Sequence, residues 1–358
     1  MNDKTQDSAV TTKSALQAKF DAQKIAFGPI VFQAALALRD LGILELILQH
    51  RAEGITPQEI AERLNISLYG VKVLLEAGLG CEIVSASEGR YALTKTGYFL
   101  LKDDLTRVNM NFVNDICYQG MFYLKESIEK QYPAGLRMLS DSATIYPALS
   151  TLPPKAQTSW FEFDQFYSDC AFPEVLPVIF KNKPRHILDI GGNTGKWAIK
   201  CAQYDQDVRV TIVDLPGQLA KAAVNIREHG LQDRIDLHAC DLLANDPVLP
   251  ANADLVWMSQ FLDCFSPEQI VDILRRVKRV MNAETVIYIM ELFWDRQRFE
   301  AASFSLQNTS LYFTCLANGN SKIYCATEFT QCIEQAGLRV TRQIDDIGIS
   351  HTLLECRN

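Results

Sequence analysis

The sequence predicts an α/β protein in which a helical N-terminal domain precedes a mostly parallel, seven-stranded sheet. Apolar residues fall mostly at helical spacing from about Lys13 to Phe99. Strands alternate with helices from His186 to the end of the chain. The length of 358 residues also favours about two domains. We expect these domains to span residues 1–104 and 105–358.

The N-terminal domain has the pattern of a winged helix. One apolar helix is expected from Ile30 to Leu48. Thr56, followed three residues later by Glu59, is a capping-box arrangement at the start of a second helix. A further helix from about Leu68 to Leu79 precedes two alternating runs around a turn at residues 87–89, which predict a hairpin.

A winged helix can serve in DNA binding or in dimerisation, and the two functions require different surface charges. The helix that would enter a DNA groove carries Lys72 as its only basic residue, and it also carries Glu76. The whole chain has a net charge of −8, which disfavours nucleic acid as a partner. We therefore expect this domain to serve as a dimerisation module of a homodimer, and a DNA-binding regulator is the less favoured alternative.

The composition is that of a globular protein. We expect it to stay in the cytoplasm and to have no membrane partner. Apolar residues make up 48 % and charged residues 22 % of the chain, and no apolar run is long enough for a membrane span. The polar N-terminus lacks the features of a secretory signal. The ten cysteines are scattered with no C-x-x-C pair, so we expect free thiols and no metal site.

The second domain opens with helices and continues as an α/β core from about residue 183. Residues 105–180 are expected to be helical and aromatic-rich, with WFEFDQFY at 160–167 placed to cap a cleft. The last two strands are joined too briefly for a crossover and should run antiparallel. Strands are predicted over residues 186–190, 208–214, 235–241, 253–258, 285–292, 338–345 and 349–356, with helices after 195 and over 217–228, 267–281 and 328–336.

The segment LDIGGNTG places glycines directly after the first strand of this core. Asn193 stands where the dinucleotide fingerprint needs glycine, and Trp197 stands where a P-loop needs Ser or Thr. What remains is Asp189 at the strand end, followed by Gly191 and Gly192. Glycines at this point let a ligand touch the backbone without requiring a phosphate.

Two more acids follow at strand ends. Asp214 lies 23 residues after Gly191, where a carboxylate can accept both hydroxyls of a ribose. Asp241 ends the third strand and is placed to accept from an adenine amino group, while Leu242 packs on the ring. Leu215 follows Asp214 in the VDLP segment and is assigned to the same ligand. The series suits a ligand with a ribose, an adenine and a positive charge.

LDIGGNTG, VDLP and DLL occur in the order typical of one enzyme family. The half from Ile187 resembles a class I S-adenosylmethionine-dependent methyltransferase with a Rossmann-like sheet. With its winged-helix front, the chain resembles the dimeric small-molecule O-methyltransferases, which include plant phenylpropanoid and acetylserotonin enzymes. FGPIVFQAALALRDLGIL, YALTKTG and TEFTQCIEQAGL extend the resemblance over nearly the whole chain. It implies S-adenosylmethionine as cofactor, S-adenosylhomocysteine as product, and the methionine end at the glycine turn.

The resemblance fails at the catalytic base. In MSQFLDCFSPEQ, Asp263 occupies the position of the histidine that deprotonates the acceptor in most family members, and Cys264 that of the aspartate beside it. Glu291 matches the first of two glutamates that flank this histidine, whereas the second falls on Ile323. Ser259 replaces a lysine that the family often places near the cofactor.

An aspartate is a weak base for this chemistry. A carboxylate of pKa about 4 facing a phenol of pKa about 10 leaves about six units, or roughly 8 kcal/mol. Desolvation by Phe261, Leu262 and Phe265, or a proton shared with Glu291, would raise the pKa of Asp263. Alternatively the acceptor is acidic and needs no base, or Asp263 only precedes the helix that starts at Ser266.

The sequence allows an aromatic, an enolic or a carboxylic metabolite as the methyl acceptor. The missing histidine leaves a second hypothesis, in which the enzyme binds the cofactor but catalyses a reaction other than methyl transfer. Five residues of the helical segments are candidates to line the acceptor pocket, although their spacing also fits the hydrophobic core. They are Phe163, Phe166, Phe304, Asn308 and Tyr312.

Overall fold

The computed structural model describes residues 13–358, which form two compact units. The first unit ends at Met110 and the second spans Asn111–Asn358. The division falls within one helix, α7 (Asp104–Phe112), and the boundary predicted from sequence lies at the start of this helix.

The first unit is helical apart from one hairpin. In chain order its elements are α1 (Ala15–Ala26), α2 (Gly28–Asp40), α3 (Ile43–Gln49), α4 (Pro57–Leu64), α5 (Leu68–Gly80), β1 (Val84–Ser87), β2 (Arg90–Leu93) and α6 (Lys95–Lys102). The strands β1 and β2 pair antiparallel, which completes the predicted winged-helix pattern. The capping box is present: the Glu59 N–H donates to Thr56 Oγ1 (3.2 Å), and the Thr56 N–H donates to Glu59 Oε2 (2.8 Å).

The single helix predicted from Ile30 to Leu48 is wrong. The helix ends at Asp40, and a new helix begins at Ile43 after a turn at Gly42, whose φ of 78° lies in the left-handed region. Glycine reaches this region without the steric penalty of a side chain. The break allows both Leu38 and Ile43 to be fully buried in the core of the unit.

The second unit begins with helices that carry the aromatic residues. They are α8 (Tyr118–Gly120), α9 (Leu124–Lys130), α10 (Ile145–Ala148), α11 (Pro154–Asp169) and α12 (Phe172–Ile179). A π-helical turn at Val113–Cys117 and 3₁₀ turns at Met121–Tyr123, Ala134–Met138 and Phe180–Asn182 connect them.

A seven-stranded sheet follows, in the order β5-β4-β3-β6-β7-β9-β8. The strands β3 to β7 run parallel, and β9 pairs antiparallel with both β7 and β8, as the short connection predicted. Their bounds are β3 (His186–Ile190), β4 (Arg209–Asp214), β5 (Ile235–Ala239), β6 (Leu255–Ser259), β7 (Val286–Leu292), β8 (Arg339–Ile347) and β9 (His351–Arg357). The strand order reverses between β3 and β6, and ligands bind at the carboxyl ends beside such a reversal.

Helices cover both faces of the sheet. One face packs against α12, α13 and α14 through residues such as Val175 and Ala222, with Trp197 stacked on Trp257 at 4.2 Å. The other face packs against α15 and α17 through Ile270 and Phe329. The helices are α13 (Lys196–Tyr204), α14 (Pro216–Glu228), α15 (Pro267–Val280), α16 (Glu300–Tyr312) and α17 (Ala326–Gln335).

Three further properties concern the described part of the chain. None of its helices is both long and apolar enough to cross a membrane. No three or more His, Cys, Asp or Glu side chains within residues 13–358 are grouped to hold a metal ion. All ten cysteines lie in this range and are free thiols.

Thr56→Ala tests the capping box. Loss of the Oγ1 acceptor leaves an amide of the first turn of α4 unpaired, so we expect the free energy of unfolding to fall by about 1 kcal/mol. Urea denaturation followed by circular dichroism measures the change. Thr56→Ser keeps the hydroxyl and should stay near wild type; equal losses in both variants would contradict the capping role.

Candidate active site

A cavity of about 390 Å³ lies within the second unit at the carboxyl ends of the parallel strands. Five residues predicted to bind the cofactor line it: Gly191, Asp214, Leu215, Asp241 and Leu242. A smaller cavity of about 80 Å³ is lined by the other three, Asp189, Gly192 and Ser259. The two cavities share Gly191 among their lining residues. The structure therefore brings all eight predicted residues to one edge of the sheet.

The glycine turn has no space for side chains. Gly191 has a φ of 75°, and a Cβ on it would clash with the Phe261 ring. A Cβ on Gly192 would lie 2.6 Å from Asp189 Oδ2 and 2.7 Å from Ile212 Cγ2. The Gly191 N–H donates to the Val213 carbonyl at 2.9 Å, which ties the turn to β4.

Asp189 is buried near the end of β3, and no residue of 13–358 forms an ion pair with it. Its Oδ2 has no hydrogen-bond partner among the described residues, although the side chain borders the smaller cavity. Burial, together with the negative charge of Asp214, raises the pKa of Asp189 to about 8. A cationic group in that cavity would satisfy this carboxylate.

The acids at the ends of the next two strands are fixed by backbone amides. Asp214 Oδ2 accepts from the Asn193 N–H (2.8 Å), and its Oδ1 accepts from the Leu215 N–H (2.6 Å). Burial raises the pKa of Asp214 despite these bonds. Asp241 is exposed and accepts from the Leu243 N–H at 2.9 Å.

Asp263 and Glu291 form a buried acidic pair. Asp263 lies in a 3₁₀ turn after β6 and lines the larger cavity, whereas Glu291, in β7, does not line it. Glu291 Oε1 accepts from the amides of Phe261 (3.1 Å) and Leu262 (2.8 Å), so it holds the turn that carries Asp263.

The pKa values of both acids of this pair are raised. Burial raises the pKa of Asp263 to about 7, and the negative charge of Asp164 contributes. Burial also raises the pKa of Glu291 well above its ordinary value, and the charge of Asp263 raises it further. Near neutral pH, Asp263 is therefore an acid that can change its charge.

The five residues predicted to contact the acceptor separate into two groups. Phe163 and Tyr312 line the cavity, and Phe163 stacks on Phe112 at 4.0 Å. The others do not line it: Phe166 is half-buried, Phe304 is 67 % exposed, and Asn308 is exposed. The residues of α16 that line the cavity include Leu306 and Thr309. They lie on a different face of the helix from Phe304 and Asn308.

Sequence reasoning missed three residues that line both cavities, namely Asp164, Asn193 and Gln260. Burial raises the pKa of Asp164 to about 6. Gln260 has a left-handed φ of 46°, and its Oε1 lies 2.5 Å from Nε2 of His351, whose pKa burial lowers to about 3. Asp164 was visible as the one aspartate within the aromatic segment WFEFDQFY, but nothing in the sequence pointed to Gln260.

The sheet order and the strand-end acids at its carboxyl edge are those expected of a class I methyltransferase. The family model of the Dimerisation2-like domain matches residues 19–91 of the chain. The family model of the O-methyltransferase domain matches residues 174–339. The chain belongs to the family of S-adenosylmethionine-dependent O-methyltransferases that carry an N-terminal dimerisation domain.

Curated relatives and a solved structure match nearly the whole chain. An L-tyrosine C(3)-methyltransferase from Streptomyces lavendulae is 24 % identical, over 87 % of this chain and 85 % of the relative. A 3-hydroxy-5-methyl-1-naphthoate 3-O-methyltransferase from Streptomyces sahachiroi is 23 % identical over 87 % of each. The S-adenosylmethionine-dependent methyltransferase SibL, in its apo form, has the same fold with a TM-score of 0.70, 24 % identity, and 94 % and 98 % coverage.

Gly192→Ala tests the turn. The added Cβ must displace both Asp189 and Ile212, and overpacking of this kind costs about 1–3 kcal/mol. We therefore expect S-adenosylhomocysteine to bind about 5- to 150-fold more weakly. Calorimetric titration measures the affinity, and thermal unfolding checks that the variant is folded. Gly217→Ala is the matched control because nothing lies within 4 Å of its Cβ. Unchanged affinity in Gly192→Ala would refute this role of the turn.

Proposed function

We propose that this enzyme methylates a hydroxyl group of a small aromatic acceptor and that Asp263 takes the hydroxyl proton. One observation carries the proposal: a buried carboxyl group with a pKa of about 7 lines the same cavity as the strand-end acids and the aromatic side chains. Both curated relatives described above act, by their names, on aromatic molecules.

The residues present fit S-adenosylmethionine. The unpartnered Asp189 carboxylate would pair with the cofactor's ammonium group, and the glycine turn would admit its methionine end. Asp214 would accept from the ribose hydroxyls and Asp241 from the adenine amino group. Leu215, Leu242 and Ser259 complete the proposed cofactor contacts. When bound, the cofactor supplies an electrophilic methyl group on a sulfonium.

The raised pKa makes Asp263 a better base than an ordinary aspartate. Against a phenol of pKa about 10, a base of pKa about 7 leaves about three units, or roughly 4 kcal/mol, instead of the roughly 8 kcal/mol left by an exposed aspartate. Positioning of the acceptor oxygen in the cavity lowers the remaining barrier. Asp263 thereby replaces the histidine of most family members.

Glu291 acts as a positioning residue. Its Oε1 holds the amides of Phe261 and Leu262, which fixes the turn that presents Asp263 to the cavity. Burial and the charge of Asp263 raise the pKa of Glu291, which favours its neutral form beside Asp263. Phe163 and Tyr312 are proposed to contact the acceptor ring.

We also propose that the enzyme is a homodimer that acts in the cytoplasm. The matched dimerisation domain supports a homodimer, and the cavity of about 390 Å³ suits a small-molecule acceptor. The net charge of −8 supports an enzyme without a nucleic-acid partner. We assign it to the cytoplasm, without a membrane partner.

A transfer assay tests the proposed function. The purified protein is incubated with S-adenosylmethionine and a panel of phenols and naphthols, and mass spectrometry detects a gain of one methyl group. We expect methyl ethers with wild type and none with Asp214→Ala. Cofactor turnover without a methylated product would instead support a reaction other than methyl transfer.

The pH dependence of the methylation rate tests the role of Asp263. Only the ionised carboxylate accepts a proton, so activity should rise as pH increases through about 7. In Asp263→Asn we expect kcat to fall by about 10²-fold or more, since a general base contributes about 10² to 10⁴. The residual rate should lack this rise.

Asp246→Asn removes an exposed carboxylate and serves as the matched control. Its rate and pH profile should equal those of wild type. A wild-type rate that does not change between pH 6 and 8 would contradict the assignment. A rise with pH that persists in Asp263→Asn would contradict it as well.

Proton release on cofactor binding tests the role of Asp189. With a pKa of about 8, this carboxyl group is mostly protonated at pH 7 before a ligand binds. A cation beside it favours the ionised form, so S-adenosylmethionine should release up to about one proton per site. Calorimetry in buffers of different ionisation enthalpy measures the number. Asp189→Asn should release fewer protons; a binding enthalpy that is independent of buffer in wild type would refute the prediction.

A further inference from the structure

The two cavities differ in the charge of their lining. Within the described residues, the larger cavity is lined by four aspartates, namely Asp164, Asp214, Asp241 and Asp263, and by no lysine, arginine or histidine. The smaller cavity, to which we assign the methionine end of the cofactor, is lined by Lys196. The carboxylate of the cofactor therefore has a lysine within reach, and this lysine also pairs with Asp169 at 2.9 Å. An acceptor in the larger cavity meets no cationic side chain of the described residues, and the cofactor's sulfonium would face its reacting hydroxyl.

We propose that the acceptor site selects an uncharged hydroxyaromatic molecule and rejects acceptors that carry a carboxylate. This inference rests on the proposed function and narrows it, because the sequence left carboxylic acceptors open. A carboxylate taken from water into this cavity would meet negative charge and would lack the paired cation that buried anions require.

The electrostatics of the neighbouring groups support this selection. The charge of Asp164 raises the pKa of Asp263, and the charge of Asp263 contributes to the raised pKa of Tyr146. Each of these groups lines the cavity, and each is held towards its neutral form there. An anionic acceptor faces the same burial and the same neighbouring charges.

Several neutral donors around the cavity are already committed to the protein. Asn318 Nδ2 donates to the Cys264 carbonyl at 2.5 Å, and Trp160 Nε1 donates to Tyr312 Oη at 2.7 Å. The Thr309 hydroxyl donates to the Ser305 carbonyl at 2.9 Å. These donors would have to break existing bonds to compensate a carboxylate, whereas a hydroxyl, ether or amide substituent needs less compensation.

Matched acceptors test the inference. 3-Hydroxy-2-naphthamide and 3-hydroxy-2-naphthoate have nearly the same shape and differ in charge at pH 7.5, as do 3-hydroxybenzamide and 3-hydroxybenzoate. We expect kcat/KM to favour the amide by at least about tenfold in each pair that is methylated. Equal use of both members, or preference for the carboxylate, would overturn the inference while leaving the proposed methylation intact. Failure to methylate any hydroxyaromatic would refute the proposed function and this inference with it.

Asn320→Lys supplies the missing cation. Asn320 lines the cavity and is exposed, so a longer side chain is tolerated without repacking the core. We expect the variant to reduce the amide preference at least about fivefold, since ion pairs strengthen when partly desolvated. Asn320→Met adds similar length without charge and should keep the wild-type preference. An unchanged preference in Asn320→Lys would contradict a selection based on charge.

Discussion

The burial of carboxyl groups at the carboxyl edge of the sheet is the constraint on which the rest of the site depends. Asp189 and Asp263 are buried and Asp164 is half-buried, and burial raises the pKa of each. A carboxyl group in such a place either takes up a proton or requires a cationic ligand. The same physical effect therefore prepares one acid for the cofactor and another for the acceptor.

The parallel strands make this burial possible. Helices cover both faces of the sheet, so the ends of β3 and β7 place Asp189 and Glu291 in the interior instead of at the surface. Backbone strain accompanies the site, since Asn193 and Gln260 both have left-handed φ values, of 51° and 46°. Such conformations cluster at functional sites, where the surrounding structure enforces them.

The sequence predicted much of the fold because local patterns determine it. Alternating strands and helices, the capping box and the short final connection each specify local geometry, and the predicted sheet and its antiparallel pair are present. The helix from Ile30 to Leu48 was wrong because apolar spacing continues through Gly42, whereas the chain turns there. Periodicity reports which residues are buried and is blind to a break that preserves the pattern.

The site was less predictable because its residues meet only in three dimensions. Acids at strand ends can be recognised in the sequence, because the carboxyl ends of parallel strands lie at one edge of the sheet. Asp189, Asp214 and Asp241 lie at this edge. The face of a helix that meets a cavity is not readable from aromatic content, so Phe304 and Asn308 were grouped with Tyr312 although they do not line it. The approach of Gln260 to His351, across 91 residues of chain, has no local signal.

The most direct test is the crystal structure of the complex with S-adenosylhomocysteine. We expect the ribose hydroxyls at hydrogen-bond distance from Asp214, about 2.5–3.0 Å. We also expect the sulfur to face the part of the cavity lined by Asp263. An adenosine bound away from Asp214, or a sulfur turned away from Asp263, would contradict the claim that these buried acids form one methyl-transfer site.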